Sequence, residues 1–90
     1  FIKLVCENPC RIFGIKNKGY IKEGYDADLT IVDMNKKKVI KNDWIASKCG
    51  WTPFDGYEAK GFPLGTIVNG KAIVWDGKLI EKANGKPLRF

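Results

Sequence analysis

Histidine is missing from all 90 residues. That removes at once the commonest general base and the commonest metal ligand. If the chain belongs to a hydrolase, its chemistry is expected to be carried elsewhere. Arginine is scarce, with only Arg11 and Arg89, and cysteine is limited to Cys6, Cys10 and Cys49. Three thiols are an odd number, so the default reading is reduced cysteine in a cytoplasmic protein rather than a disulfide framework. Cys6 and Cys10 have a spacing that suits two zinc ligands, but a closed zinc site needs four, and only Cys49 and a carboxylate are left to recruit. No apolar run approaches the roughly 18 residues of a membrane span, and no membrane association is expected.

What is present fits a single small domain. Apolar residues make up 44% of the chain and charged residues 29%, the balance of a globular domain. A chain of this length buries only a modest share of its surface when it folds alone. The formal charge of +6 raises the possibility of a polyanionic partner. Most of the excess is spread over Lys16, Lys18, Lys22, Lys36, Lys37, Lys38 and Lys41, which reads first as solvated surface. A free-standing basic β module that binds nucleic acid or an acidic partner remains the alternative.

The sequence opens on FIKLVCENP, without an initiating methionine, and Phe1, Leu4 and Val5 fall at helical spacing. The expectation is a fragment that begins within or at the start of a helix whose apolar face needs a partner. Proline disfavours helical backbone at the residue before it, so Asn8 should end a first helix over 1–7. Pro9 then opens a second, PCRIF, capped by Gly14.

Beyond Gly19 the pattern changes to short β-branched and aromatic segments between glycines, giving a β unit of four to six strands. Leu29–Val32 suits a strand buried on both faces and closed by Asp33, and Val39–Ile40, between Lys38 and Lys41, suits a short edge strand. In TIVNGKAIVWDGKLI, Asn69–Gly70 and Asp76–Gly77 favour type I′ turns and predict a three-stranded meander. The tail ANGKPLRF is expected to break at Pro87 and to fold its final aromatic back. Small antiparallel units expose unpaired edges, and an absent partner segment is the simplest remedy.

Three groups carry reactive residue types. Glu23, Asp26 and Asp28 could hold a cation, but GYDADL lacks the ligand spacing of a calcium loop, and turn or strand-entry roles are favoured. Cys49 has no neighbouring base to make it a nucleophile. Trp44, Trp51, Phe54, Tyr57 and Phe62, interleaved with Lys48 and Lys60, resemble a base-stacking surface. Such aromatics more often form an apolar plug against a neighbouring domain. In SKCGWTPFDG, residues 47–56, Trp51 and Phe54 are the candidate anchors.

NPCRIFGI followed by KGYIKEGYDADLTIVD resembles the segment that closes amidohydrolase-superfamily chains. SKCGWTPFDGYEAKGFPLGTIVNGKAIVWDGKLI is similar to the C-terminal segment of dihydroorotases, with hydantoinases, dihydropyrimidinases and allantoinases sharing the layout. The resemblance implies a fold that is mainly β with two short N-terminal helices, the C-terminal part of the composite β-sandwich of a TIM-barrel metal-dependent hydrolase. Residues 1–15 would end the catalytic barrel, and 16–90 would supply the C-terminal share of the sandwich, completed by strands from the start of the enzyme. It further implies a parent that interconverts N-carbamoyl-aspartate and dihydroorotate in pyrimidine synthesis, using zinc, with possible association to aspartate transcarbamoylase or to further copies. A noncatalytic homologue is a further reading. The barrel ligands lie upstream of Phe1, so no residue here is assigned a catalytic, substrate-binding or metal-binding role. The chain alone is expected to be inactive.

Overall fold

A computed structural model describes residues 1–82 and 84–90. The backbone is helical from Ile2, as a π turn over Lys3–Glu7 that runs directly into an α-helix, α1, Asn8–Phe13. The expected pair of helices is therefore corrected to one continuous helical segment with one short α-helix. Asn8 keeps helical angles, φ −63° and ψ −44°, and its N–H donates to the Lys3 carbonyl five residues back. The wide turn makes room for the proline ring. Pro9 itself lies where the α-helical register begins, so its missing N–H costs little. Gly14 ends the segment at φ 66°, as the sequence predicts.

Among the described residues there follow a four-stranded antiparallel sheet in the order β1 (Leu29–Val39), β2 (Glu58–Val68), β3 (Lys71–Trp75), β4 (Lys78–Leu79), and a 3-10 turn, Asn42–Trp44, between β1 and β2. Both expected hairpins form. Asn69 and Gly70 take φ 47° and 81°, and Asp76 and Gly77 take 48° and 76°, the paired positive angles of type I′ turns. Each lets the chain reverse in two residues, so Val68 faces Lys71 and Trp75 faces Lys78.

β1 departs from expectation. Asp33 does not close it. Its carboxylate accepts the Asn35 N–H at 3.0 Å, and the ladder to β2 slips between Asp33 and Lys37 before resuming. The bulge absorbs the polar residues and merges the two expected strands into one of 11 residues. Nor is the LTIV run buried, because β1 lies at the sheet edge with Ile31 38% and Val32 47% exposed.

Little is buried overall. Ile73, at 5% exposure, is the one buried hydrophobic side chain among the described residues. The neighbouring slot is shaped by Gly65, where a Cβ would stand 2.6 Å from the Trp75 ring. Among the described residues the helical segment packs against no strand. The chain exposes 7471 Å², whereas a compact monomer of its mass exposes about 5,300 Å². Its radius of gyration is 15.0 Å, against about 12 Å for a compact domain of this length.

Candidate functional site

The acidic segment GYDADL is gathered into a junction of three chain segments. Lys18 lies between two carboxylates, bonded to Asp28 and 3.2 Å from Asp26. Arg89 approaches Asp26 at 3.4 Å, and the Arg89 carbonyl accepts the Lys16 N–H at 2.8 Å. Asp28 also accepts the Asn69 N–H at 2.8 Å, while Gly70 N–H donates to the Ala27 carbonyl at 3.0 Å. The loop, the β2–β3 turn and the C-terminal tail are thus tied together.

These contacts set the local electrostatics. The Asn69 N–H, and then Lys18, hold the Asp28 carboxyl below the usual carboxylate range. The bond to Asp28 raises the Lys18 ammonium. Asp26 and Asp28 are fastened to cations and backbone donors, the turn role favoured on sequence grounds, and Glu23 takes no part in the junction. The tail joins it through Arg89, whereas Phe90 is 67% exposed. That corrects the expected inward fold of the last aromatic, and Ala83, within the same tail, lies outside the described residues.

The thiols are dispersed. Cys6 and Cys10 are half-buried on the helical segment, Cys10 beside Gly19, and Cys49 is exposed. The Ser47 hydroxyl, 3.2 Å away, and then the Trp51 backbone hold the Cys49 thiol below its ordinary value, but no basic side chain contacts it among the described residues. No three His, Cys, Asp or Glu side chains among the described residues come together as a metal-binding group. The side chains present therefore do not fit a zinc ion.

The loop 40–57 carries the most shaped surface. Asn42 clamps it from both sides, donating its N–H to Asp55 at 2.8 Å and accepting the Thr52 N–H at 2.8 Å. Thr52 Oγ1 accepts from Phe54, and Ile40 and Tyr57 close the base of the loop. On this internally bonded frame Trp51, Phe54 and Tyr57 stand 60%, 59% and 62% exposed. Trp44 turns away to meet Phe62 at 6.4 Å, and Lys38 places its ammonium 4.7 Å above the Trp44 ring. Sequence proximity suggested Lys48 and Lys60 as the companions of these aromatics. The fold selects Lys38 instead, because the long β1 returns it to the ring pair, and no local sequence signal marks that contact.

The Amidohydrolase family profile matches residues 1–73, and the chain belongs to that family. Within it, the chain is 43% identical to the dihydroorotase of Methanothermobacter thermautotrophicus, over 93% of this chain and 19% of that protein. It is 46% identical to the dihydroorotase of Pyrococcus horikoshii, over 88% of this chain and 19% of that protein. Among solved structures, L-hydantoinase from Arthrobacter aurescens matches with a TM-score of 0.84 at 30% identity, covering 90% of this chain and 18% of the other. A D-hydantoinase matches with a TM-score of 0.59 at 30% identity, covering 72% and 14%. The chain spans about a fifth of the length of the curated relatives it matches.

Proposed function

We propose that this chain is the C-terminal share of a zinc-dependent dihydroorotase, in which it braces the catalytic barrel. The observation that carries the reading is the identity to dihydroorotases along nearly the whole chain. The physical form supports it, since a surface about 2,000 Å² larger than a compact monomer's suits a piece designed to be covered. Residues 1–15 would end the barrel and 16–90 would form part of a β-sandwich completed by the rest of the polypeptide. Trp51 and Phe54 would anchor the loop on the barrel.

In such an enzyme a bound metal would supply Lewis-acid chemistry for opening the cyclic amide. Its ligands would come from the remainder of the polypeptide. This chain's own residues act by shape: the helical face and the aromatic loop provide apolar contact, and the Lys18–Asp28 junction ties the segment before β1 to the β2–β3 turn. The three free thiols suit a reducing cytoplasm, and assembly with aspartate transcarbamoylase or further copies is part of the proposal.

A second reading, a hydantoinase-type enzyme, is favoured by the L-hydantoinase likeness in structure. Assaying the full polypeptide, loaded with zinc, on dihydroorotate, hydantoin and allantoin decides between them. Turnover of dihydroorotate above the other two is the expected result, and preferential turnover of hydantoin would replace the first reading by the second.

A further inference from the structure

Four places in the chain set an asparagine or aspartate directly before glycine: Asp55–Gly56, Asn69–Gly70, Asp76–Gly77 and Asn84–Gly85. Glycine has no Cβ to shield its nitrogen. That nitrogen can therefore attack the side-chain carbonyl carbon of the residue before it and close a five-membered imide. The reaction needs both groups free to turn toward each other.

Three of the four pairs are held. The Asp55 carboxylate accepts the Asn42 N–H at 2.8 Å, and the Gly56 N–H donates to the Ile40 carbonyl at 2.7 Å. In the β2–β3 turn, the Asn69 N–H donates to Asp28 and its Nδ2 to the Asn84 carbonyl, both at 2.8 Å, while the Gly70 N–H donates to Ala27 at 3.0 Å. The Asp76 N–H donates to the Leu64 carbonyl at 2.7 Å, and Lys36, 2.7 Å from its side chain, keeps it a carboxylate, a poor electrophile.

Asn84–Gly85 differs in each respect. It lies outside every helix and strand. Among the described residues the Gly85 N–H has no hydrogen-bond partner, and Asn84 Oδ1 is buried without one. A buried carbonyl without a donor is disfavoured where it stands, so the side chain loses no bond by turning. No atom lies within 4 Å of where a Cβ on Gly85 would be, so the nucleophile is uncrowded.

We propose that Asn84–Gly85 is a site of spontaneous deamidation, and that the product loosens the C-terminal tail. The Gly85 nitrogen bonds to Asn84 Cγ, the Cγ–Nδ2 bond breaks, and Nδ2 leaves as ammonia with the Gly85 amide proton. Water then opens the imide at either carbonyl to give aspartate or isoaspartate, with no change of oxidation state. Either product carries a new negative charge, which cannot stay in the unpaired position that Oδ1 occupies. Isoaspartate also lengthens the main chain by one methylene. These changes fall between the Asn84 carbonyl, held by Asn69, and Arg89, whose carbonyl accepts the Lys16 N–H at 2.8 Å and whose guanidinium lies 3.4 Å from Asp26.

Ageing the full polypeptide in mildly alkaline buffer, with peptide mapping by mass, tests the proposal. Conversion at Asn84 should run about tenfold or more faster than at Asn69, whose turn must first open locally, and the two rates should converge in urea. Gly85→Ala has room for its methyl group and should slow conversion at Asn84 by about tenfold or more, because the Cβ shields the nitrogen. In the isoaspartyl fraction the Lys16 amide should exchange its hydrogen faster than in unaged protein. Conversion at Asn69 as fast as at Asn84 in the folded protein overturns the assignment of the site. Unchanged exchange at Lys16 overturns the loosening of the tail.

Discussion

The helical segment and the β2–β3 hairpin are both rich in apolar residues and treat them in opposite ways. In the hairpin, Ile73 is buried and Trp75 lies across Gly65. In the helical segment, Ile2, Leu4, Val5, Ile12 and Phe13 are all more than half exposed. Helical residues three and four apart form a stripe that only another element can cover, whereas a hairpin brings its own second strand. The difference locates what the chain does for itself and what it leaves to a neighbour.

Substitutions in the full polypeptide sharpen that contrast. Ile73→Ala should lower the unfolding free energy by about 2–5 kcal/mol, the range for deleting a buried aliphatic side chain. Leu4→Ala should cost nearly as much, about 2–4 kcal/mol, if the stripe is covered, although Leu4 is 72% exposed in this chain. A loss of less than about 0.5 kcal/mol, as at ordinary surface positions, would show the stripe to be solvated and break the comparison. Gly65→Ala should cost about 1–3 kcal/mol by forcing a methyl group into the Trp75 ring. All three are read from urea midpoints.

Trp51→Ala offers a smaller and more selective effect. An anchor on the barrel predicts a lower melting temperature with zinc content nearly unchanged. Loss of zinc without loss of stability would count against the anchor.

The smallest expected effect is electrostatic. Asp28 has its folded-state pKa below the ordinary value of 3.8, so the unfolded chain takes up the proton first. The stability it contributes is present above about pH 4 and is lost as pH falls toward the folded value. An Asp28→Asn variant should therefore show a shallower decline between pH 5 and 3 than the parent, measured by thermal unfolding. Equal slopes would remove Asp28 from the junction's energetics.

Local rules carried the reading of the sequence wherever the determinant was local. Asn69–Gly70 and Asp76–Gly77 encode their turns in two residues, and Gly14 encodes its cap in one. Where a distant residue decided, the sequence was silent. Asp33 looked like a strand end because its own bulge, and the resumed pairing of Lys37 with Lys60, depend on β2. The helix through Asn8 depends on a π turn that no simple pattern announces. Asp26 and Asp28 were legible as turn residues, but Arg89, which pairs with Asp26, lies at the far end of the chain. Lys38 reached its aromatic pair by the same long-range pairing that lengthened β1.

The two tight turns also fix an order in time. Hairpins closed by such turns form within about 1–10 μs, so β2, β3 and β4 can assemble from neighbours alone. β1 meets β2 only after segment 40–57 has been looped out, and non-local pairing of that kind is slow. During that interval the apolar half of β1 is a sticky strand with nothing beside it. Early turns and a late strand thus leave the folding chain with one apolar edge open until the 40–57 loop has closed.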